Sequence, residues 1–321
     1  MMRGIIMKIS VIKLTVAIIL ILSGSSVAWA DFPIEYNLNL EQGSVYKLSM
    51  ETIQSSKMII ESEQQIMEQN NFVEYDYTVD RVDDAGNMLI AVRYNRIKFN
   101  SKIGPQVIEY DSDNPPDYYE PATIGFKATV GSTINIEITP NGEILEIVGI
   151  DEIINNILAD ANLPETEFKA KFESDIRNQF GYEATKQAFE QITSFYPNQP
   201  KMVGETWSND MNISLGFPMI INSDYKLDSS DDGISQIAVN SIVASPDSSE
   251  PISMGPISFI YEINGRQNGT INVNENSGLP VSIDLSQEYE GTVTASGGID
   301  EPSQTWPISS NSNTLIRFEK Q

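Results

Sequence analysis

Apolar and polar residues alternate with a period of two along most of the first half of the chain. The alternating stretches cover residues 34–40, 46–50, 73–79, 88–94 and 134–138. This pattern is typical of antiparallel strands that bury one face and expose the other to water. Two turn signals, Asp83–Gly86 and Pro140–Gly142, lie between these stretches and predict hairpins.

The apolar spacing changes to three and four residues between residues 150 and 200, which indicates helices. The first predicted helix has its apolar positions at Ile150, Ile153, Ile154, Ile157 and Leu158. Two further amphipathic stretches follow, and the prolines at 197 and 200 end the region. Alternation then resumes and continues almost to the end of the chain, so a second β-rich half follows the helices.

These patterns predict a mainly β protein of the β-rich α+β class. We expect two antiparallel β-meander halves that form curved sheets or an open barrel, with a helical segment between them. The predicted segments are a signal peptide at 1–30, an N-terminal β-rich half at 31–149, a helical middle segment at 150–200 and a C-terminal β-rich half at 201–321.

The two β-rich halves carry similar turn signals in the same order. Each begins with a Gly-x-x-aromatic sequence, at Gly43 and Gly204, and continues with an acidic-Gly hairpin and then a hairpin containing Asn and Gly. The shared order favours an internal duplication whose second copy is shorter. Turn residues also recur by chance in β proteins, so both interpretations stay open.

The first thirty residues resemble a secretory signal peptide. Arg3, Lys8 and Lys13 supply a positive start, Leu14–Leu22 is almost wholly apolar, and Ala28-Trp29-Ala30 offers small residues at a cleavage site. The alternative is a membrane anchor, but the apolar run is shorter than the roughly 20 residues that span a bilayer. We therefore expect an exported protein, periplasmic or extracellular after cleavage following Ala30, with no stable membrane insertion afterwards.

The composition excludes several classes of chemistry. The chain of 321 residues has no His and no Cys, so it cannot form a Ser-His-Asp triad, a His-ligated zinc site, a thiol nucleophile or a disulfide. It has 45 acidic and 20 basic residues and a net charge of −25, which opposes binding to nucleic acid or to an anionic membrane surface. The sequence contains no Walker loop, dinucleotide fingerprint or nucleophile elbow, and we expect no cofactor.

A proline-rich junction follows the predicted helices. Residues 195–207 read Phe-Tyr-Pro-Asn-Gln-Pro-Lys-Met-Val-Gly-Glu-Thr-Trp. This Pro-x-x-Pro-x-x-x-Gly-x-x-Trp arrangement resembles the central signature of an exported bacterial domain-of-unknown-function family, family 6263. The resemblance implies a signal, a β-rich first half and a helical middle, and it brings no catalytic residues. In physical terms, we expect Pro197 and Pro200 to stop the helix, Gly204 to permit a tight entry of the chain into the next strand, and Trp207 to be a buried anchor.

Two acidic runs are weak candidates for calcium binding. In the run 228–233, Asp228 and Asp232 occupy positions one and five of an EF-type loop, but position twelve is Val239 instead of the required Glu. The alternative is a hairpin turn. In the run 111–117 the alternative is a solvated loop. The candidate ligands in the two runs are Asp228, Asp231, Asp232, Asp111 and Asp113.

Several aromatic residues are candidates for lining a ligand cavity. If the sheets curve into a barrel, the tyrosines would line its interior and the phenylalanines of the helical segment would form a lid or a second layer. The alternative is an ordinary core with hydroxyl groups at its rim. The candidates are Tyr36, Tyr46, Tyr75, Tyr77, Phe168 and Phe172.

Three functions from different classes are compatible with the sequence. The first is a non-enzymatic binding or carrier protein for an apolar small molecule or lipid of the cell envelope, which predicts an apolar cavity. The second is a structural or interaction module that meets another envelope protein, which predicts a filled core and an exposed apolar patch. The third is a carboxylate-based hydrolase, which predicts two acids about 5–10 Å apart in one cleft. We rank the three functions in this order.

Overall fold

The computed structural model describes residues 32–60, 63–116, 123–161, 167–213, 218–247, 251–254, 257–297 and 303–321. The chain divides into two compact units, Met1–Pro33 and Ile34–Gln321. The predicted signal peptide, residues 1–30, lies outside the described residues. All helices and strands given below belong to the second unit.

Thirteen strands in the described part of the chain form a single antiparallel sheet. The strands are β1 (Val45–Ile60), β2 (Glu63–Val82), β3 (Met88–Ile103), β4 (Gln106–Asp111), β5 (Thr133–Ile138), β6 (Ile144–Val148), β7 (Thr206–Ile213), β8 (Met219–Asp231), β9 (Ile234–Ala244), β10 (Ile252–Met254), β11 (Ile257–Asn274), β12 (Pro280–Gly297) and β13 (Gln304–Lys320). The helices are α1 (Ile124–Thr129), α2 (Ile150–Ala161), α3 (Glu167–Phe180) and α4 (Tyr182–Glu190). None of these helices has the length and apolarity needed to cross a membrane.

The strand order keeps the two halves of the sequence apart within one sheet. It runs β6-β5-β3-β2-β1-β13-β12-β11-β9-β8-β7, with β4 paired to β3 and β10 paired to β11. The last strand, β13, lies between β1 of the first half and β12 of the second. The prediction of a mainly β fold, with two meander halves and a helical segment between them, is confirmed, and the two halves share one sheet.

Burial along the strands follows the alternation that the sequence shows. In β8, Tyr225 and Leu227 are buried, whereas Asp224 and Lys226 between them are exposed. The buried side joins the main hydrophobic core, which also contains Ile153 and Ile157 of α2 and Phe189 of α4. We call the side of the sheet that carries this core the inner face. The strands form because each buries apolar surface on this face, at about 25 cal/mol per Å².

Residues 34–40 were predicted as a strand, and this prediction is wrong. The segment is extended and buries Tyr36 and Leu38. Among the described residues, its one β-type pairing is an isolated bridge between Ile34 and Lys201. Its backbone bonds go to hairpin turns instead, from the Leu38 amide to the Pro140 carbonyl at 2.6 Å. The segment therefore alternates as a strand does without joining the sheet.

The entries into β1 and β7 have the same geometry. Gly43 and Gly204 have φ of +83° and +91°, a region open to glycine at no steric cost. The amide of Gly43 donates to the Val79 carbonyl and that of Gly204 to the Leu227 carbonyl, both at 2.7 Å. The strand register then shifts directly after Val79 and directly after Leu227. This shared detail favours the duplication over chance recurrence.

The four residues Thr193–Tyr196, which we call the bridging segment, contact both ends of the sheet. The Thr193 hydroxyl donates to the carbonyl of Gly142, in the turn before β6, at 3.4 Å. From β7, the indole N–H of Trp207 donates to the Phe195 carbonyl at 2.8 Å. Because β6 and β7 end the strand order, the sheet must curve until both reach this segment. The result is an open barrel with the bridging segment between its two ends.

Candidate ligand-binding face

The predicted cavity residues lie in the main core. Tyr36, Tyr46 and Tyr77 are buried, while Tyr75 and Phe172 pack against the core from half-buried positions. The side chain of Phe168, in α3, lies outside the described residues. The cavity beside Tyr46 and Tyr77 has a volume of only about 30 Å³, which is space for one or two water molecules. A ligand cavity at these residues therefore stays a prediction.

Three tyrosines, the buried Tyr77 and the half-buried Tyr75 and Tyr94, pack together in this core without adding charge to it. The ring of Tyr75 lies 4.8 Å from that of Tyr94 and 6.3 Å from that of Tyr77, measured between centroids. Burial raises the pKa of Tyr94 to about 12 and also raises the pKa values of Tyr75 and Tyr77, because the charged phenolate would lose its hydration. The phenols are therefore neutral at physiological pH.

The inner face is uncharged well beyond the part that the helices cover. We consider the inner-face positions from Leu48 to Met58 of β1 and the residues paired with them on the other strands. Among these described positions there is no Asp, Glu, Lys or Arg. The outer face, in contrast, carries ion pairs such as Lys47–Glu74, at 3.0 Å.

A band of neutral polar residues crosses the inner face. Starting from Gln54 of β1, the register brings together one residue from each of nine consecutive strands, and all nine are Ser, Gln or Asn. We call this set the polar row. Because neighbouring strands are about 4.8 Å apart, it extends over about 40 Å. From β3 to β7 its members are Ser101, Gln69, Gln54, Ser312, Gln287, Gln267, Ser241, Ser223 and Asn209.

Apolar side chains border the polar row on both sides. On the side towards the helices, a register of apolar residues runs through Met50, Ile316, Ile283, Ile271 and Ile237. On the other side lies a second hydrophobic cluster. Its buried residues are Ile213, Ile221, Val243, Ile263 and Tyr289, with Met211, Met219 and Ile308 packed against them. The inner face is therefore apolar, then polar, then apolar along the strand direction.

Hydrogen bonds made by members of the polar row leave two central amides unused. The amide of Gln54 donates to the Ser310 hydroxyl at 3.0 Å, and the hydroxyls of Ser223 and Ser241 are 2.9 Å apart. Gln267 and Gln287 are paired in register and half-buried. Neither side-chain amide makes a hydrogen bond to any residue that the structure describes, so both can bind water or a ligand.

The calcium candidates are engaged in turns and ion pairs. Asp231 and Asp232 form the β8–β9 hairpin, and Asp228 pairs with Lys226 at 2.6 Å. Burial acts to raise the pKa of Asp111, but hydrogen bonds from the Asp113 amide and from Arg96 outweigh it and lower the pKa. Within the described ranges, no three His, Cys, Asp or Glu side chains are grouped to hold a metal ion. Calcium binding at these residues stays a prediction.

The proline-rich junction connects the helices to β7. Helix α4 ends at Glu190, before Pro197 and Pro200. Gly204 has the positive φ described above, and Trp207 is half-buried. The Trp207 ring stacks on Tyr225 with a centroid distance of 5.6 Å and an interplanar angle of 17°. The junction thus anchors β7 through an aromatic stack and the indole hydrogen bond.

The polar row is absent from our sequence-based predictions. Its signal in the sequence is a period-two register that continues with uncharged residues where apolar ones stop, as in Ile283, Leu285, Gln287 and Tyr289. The residues between them on β12 include Asp284 and Glu288. A search for apolar alternation alone therefore places the end of such a strand too early in the sequence.

The comparison with known proteins identifies the family and little beyond it. No curated protein matches the chain. Among solved structures, lipovitellin is similar at 12% identity with a TM-score of 0.46, over 88% of this chain and 26% of that chain, so the chain spans about a quarter of lipovitellin. Two structures from Pseudomonas aeruginosa are also similar. OccK7 has a TM-score of 0.20 at 6% identity, over 87% of this chain and 100% of that chain. The outer membrane protein OprD has a TM-score of 0.18 at 7% identity, over 91% of this chain and 98% of that chain. The profile of DUF6263, a family of unknown function, matches residues 85–280, which is more than half of the chain. The protein therefore belongs to the DUF6263 family.

Proposed function

We propose that the protein is a non-enzymatic binding or carrier protein for an apolar or amphipathic ligand of the cell envelope. The observation that carries the proposal is the uncharged inner face. Many of its positions, such as Met50, Gln69 and Gln287, are only half-buried, and a charged side chain would be tolerated there if water were the only neighbour. An apolar ligand would desolvate such a charge at a cost of several kcal/mol. Exclusion of charge is therefore the property that an apolar ligand requires.

The order of layers on the inner face favours an amphipathic ligand over a purely apolar one. Apolar side chains on both sides of the polar row can hold an alkyl chain, while the row offers hydrogen bonds to a polar group. Five half-buried methionines border these layers, and methionine adapts its shape to varied apolar partners. They are Met50, Met58, Met67, Met211 and Met219.

Export to the cell envelope belongs to the same proposal. Its support is the sequence of residues 1–30, where a positive start precedes the apolar run and the small residues at Ala28 and Ala30. Cell fractionation followed by N-terminal sequencing tests it. A mature chain that begins at Asp31 in the exported fraction is the expected result, and retention of the full chain in the cytoplasm would refute export.

Native mass spectrometry of the protein purified from its own envelope tests the binding function. We expect an additional mass that is lost on denaturation and that belongs to an apolar or amphipathic molecule. The protein stripped of this molecule should then bind the uncharged apolar dye N-phenyl-1-naphthylamine. A stripped, folded protein that does not bind the dye would refute the proposal.

Two adjacent residues of β1 provide a matched pair of variants for the dye assay. Met58 lies on the inner face and is half-buried, whereas Ile59 lies on the outer face and is 38% exposed. Met58→Glu places a charge where the ligand would lie and should weaken dye binding at least tenfold, because the carboxylate must lose its hydration. Ile59→Glu adds the same charge to the other face and should leave dye binding unchanged. Equal effects of the two substitutions would contradict the assignment of the inner face.

A protein-interaction module is the second candidate function, and a patch on the outer face favours it. Ile53, Ile59 and Ile66 lie on the outer face of the β1–β2 hairpin and are 53%, 38% and 43% exposed. Ile59 and Ile66 are diagonal neighbours across the two strands, and adjoining exposed apolar groups mark contact sites. Under this function, Ile59→Glu should release a bound envelope protein in sedimentation velocity experiments, while Met58→Glu should not. The same two variants therefore distinguish the two functions.

The hydrolase prediction has no residue assigned to it. A general acid needs a raised pKa, and the shifted carboxyl groups of the described residues move the other way. Burial acts to raise the pKa of Asp83, but hydrogen bonds from Asn87 outweigh it and lower the pKa. Asp111 behaves similarly, and a hydrogen bond from Lys320 lowers the pKa of Glu41. Hydrolysis by paired carboxylates therefore stays a prediction from composition.

A further inference from the structure

We infer that the polar part of the ligand is uncharged and that it is bound by the side-chain amides of Gln267 and Gln287. This inference rests on the proposed binding function and names the class of ligand. The class is a neutral amphiphile, in which an alkyl chain carries a hydroxyl, ester or amide group and no ionised phosphate, carboxylate or ammonium.

The two amides form the centre of the polar row. Gln287 of β12 and Gln267 of β11 are the fifth and sixth of its nine members, counted from β3, and face each other in register. Each amide has two N–H donors and one carbonyl acceptor, and neither is used by a residue that the structure describes. A half-buried amide without a partner is costly unless water or a ligand satisfies it. The pair therefore offers both donors and acceptors to a polar group that needs both.

The charged residues next to this pair along the two strands lie on the opposite face and are paired with each other. Arg266 precedes Gln267 and Glu288 follows Gln287, and their side chains form an ion pair across β11 and β12 on the outer face. An ionised ligand group beside the glutamines would lose water without gaining a counter-ion, which costs several kcal/mol. A neutral hydroxyl or ester gains hydrogen bonds there without that cost.

Apolar residues on the same strands supply the place for the alkyl chain. Along β11, Ile271 lies four residues beyond Gln267 on one side and Ile263 lies four residues before it on the other. At about 3.3 Å per residue, each is about 13 Å away along the strand. Both are buried. An amphiphile with its polar group at the glutamines can therefore lay its chain against either apolar layer.

Three probes with one alkyl chain test the charge preference. We would measure binding of 1-monolauroylglycerol, laurate and dodecylammonium to the stripped protein by calorimetry, below their micelle-forming concentrations and at neutral pH. We expect the Kd of the neutral monolauroylglycerol to be at least tenfold below that of either charged probe. A charged probe that binds as tightly as the neutral one would overturn the inference. If the dye binds in that case, the carrier function stands, whereas a protein that binds neither dye nor probes refutes both.

Isosteric variants test the two residues themselves. The double variant Gln267→Glu with Gln287→Glu should raise the Kd for monolauroylglycerol at least tenfold and lower that for dodecylammonium, because it places carboxylates at the site. Asn268→Asp is the matched control, since Asn268 is exposed on the outer face of the same strand. Should the double Glu variant fail to fold by circular dichroism, Gln267→Met with Gln287→Met removes the amides without adding charge and should weaken binding of monolauroylglycerol while leaving dye binding unchanged. Unchanged binding in the folded variants would overturn the assignment of Gln267 and Gln287.

Discussion

Substitution of Gly278 by alanine should destabilise the fold through a backbone collision. Gly278 lies in the turn between β11 and β12 with φ of +72°, and its carbonyl accepts a hydrogen bond from the Tyr196 hydroxyl at 2.8 Å. A Cβ at this position would overlap the carbonyl oxygen of Asn37 and lie 2.9 Å from the Tyr196 hydroxyl. The Asn37 carbonyl cannot move freely, because the next amides, of Leu38 and Asn39, are bonded to two hairpin turns.

The magnitude follows from four contributions. An alanine at positive φ costs roughly 1 kcal/mol, which is partly offset by about 0.5 kcal/mol because alanine restricts the unfolded chain. Displacing a packed backbone costs about 1–3 kcal/mol, and the disturbed Tyr196 hydrogen bond costs about 1 kcal/mol more. We therefore expect Gly278→Ala to lower the free energy of unfolding by about 2.5–4.5 kcal/mol, out of a typical total of about 5–15 kcal/mol.

Gly43→Ala is the matched control for this prediction. Gly43 has a similar φ of +83° but no atom within 4 Å of an added Cβ, so only the backbone contributions apply and the expected loss is below about 1 kcal/mol. Urea unfolding, followed by far-ultraviolet circular dichroism, measures both. If Gly278→Ala and Gly43→Ala lose the same free energy, the collision with Asn37 is not a significant term and the reasoning is wrong.

Three further predictions concern the bridging segment and Tyr94. Trp207→Phe removes the indole N–H that donates to Phe195 at 2.8 Å and should lower the free energy of unfolding by about 1 kcal/mol; an unchanged urea midpoint would contradict this. Asn209→Asp replaces an amide that donates to two carbonyls of that segment by a carboxylate that repels them, so urea unfolding should show a loss of about 2 kcal/mol, whereas Asn212→Asp, exposed on the same strand, should show none. Burial raises the pKa of Tyr94 to about 12. The contribution of its neutral phenol to stability is therefore complete below the pKa of about 10 in the unfolded chain, and it is lost as the pH rises towards 12. Tyr94→Phe should therefore move the midpoint of alkaline unfolding, followed by circular dichroism, to higher pH. A midpoint that stays or falls would refute the raised pKa of Tyr94.

Local patterns were sufficient for the helices of the middle segment and for the apolar parts of the strands, but they did not predict the short helix α1. The spacing of Ile150, Ile153, Ile154 and Ile157 predicted the buried face of α2, and these four residues are the ones the helix buries. Such predictions succeed because helix and strand periodicities depend only on neighbours along the chain. The predicted strand at residues 34–40 failed because alternation reports a buried face and does not show whether a partner strand is available.

The polar row was harder to predict from the sequence because it has no apolar signal. Thr52, Gln54 and Ser56 continue the inner-face register of β1, but in the sequence they look like a polar loop. The strand extends to Ile60 because both neighbours pair with it along most of its length, β2 on one side and β13 on the other. The outer face of the same stretch carries Glu51, Ile53 and Lys57, so the inner residues differ from the outer ones by the absence of charge and not by greater apolarity.

The sequence by itself determined the β-rich class, the helical middle, and the absence of His and Cys, because each depends on composition or on short-range periodicity. Only the tertiary structure decided that β13 joins the two halves into one sheet and that the bridging segment meets both of its ends. The polar row is the clearest case. Its members are spread from Gln54 to Ser312, and they align because strand pairings between distant residues set the register. No local pattern encodes that alignment, so the uncharged face emerges only when the strands are placed side by side.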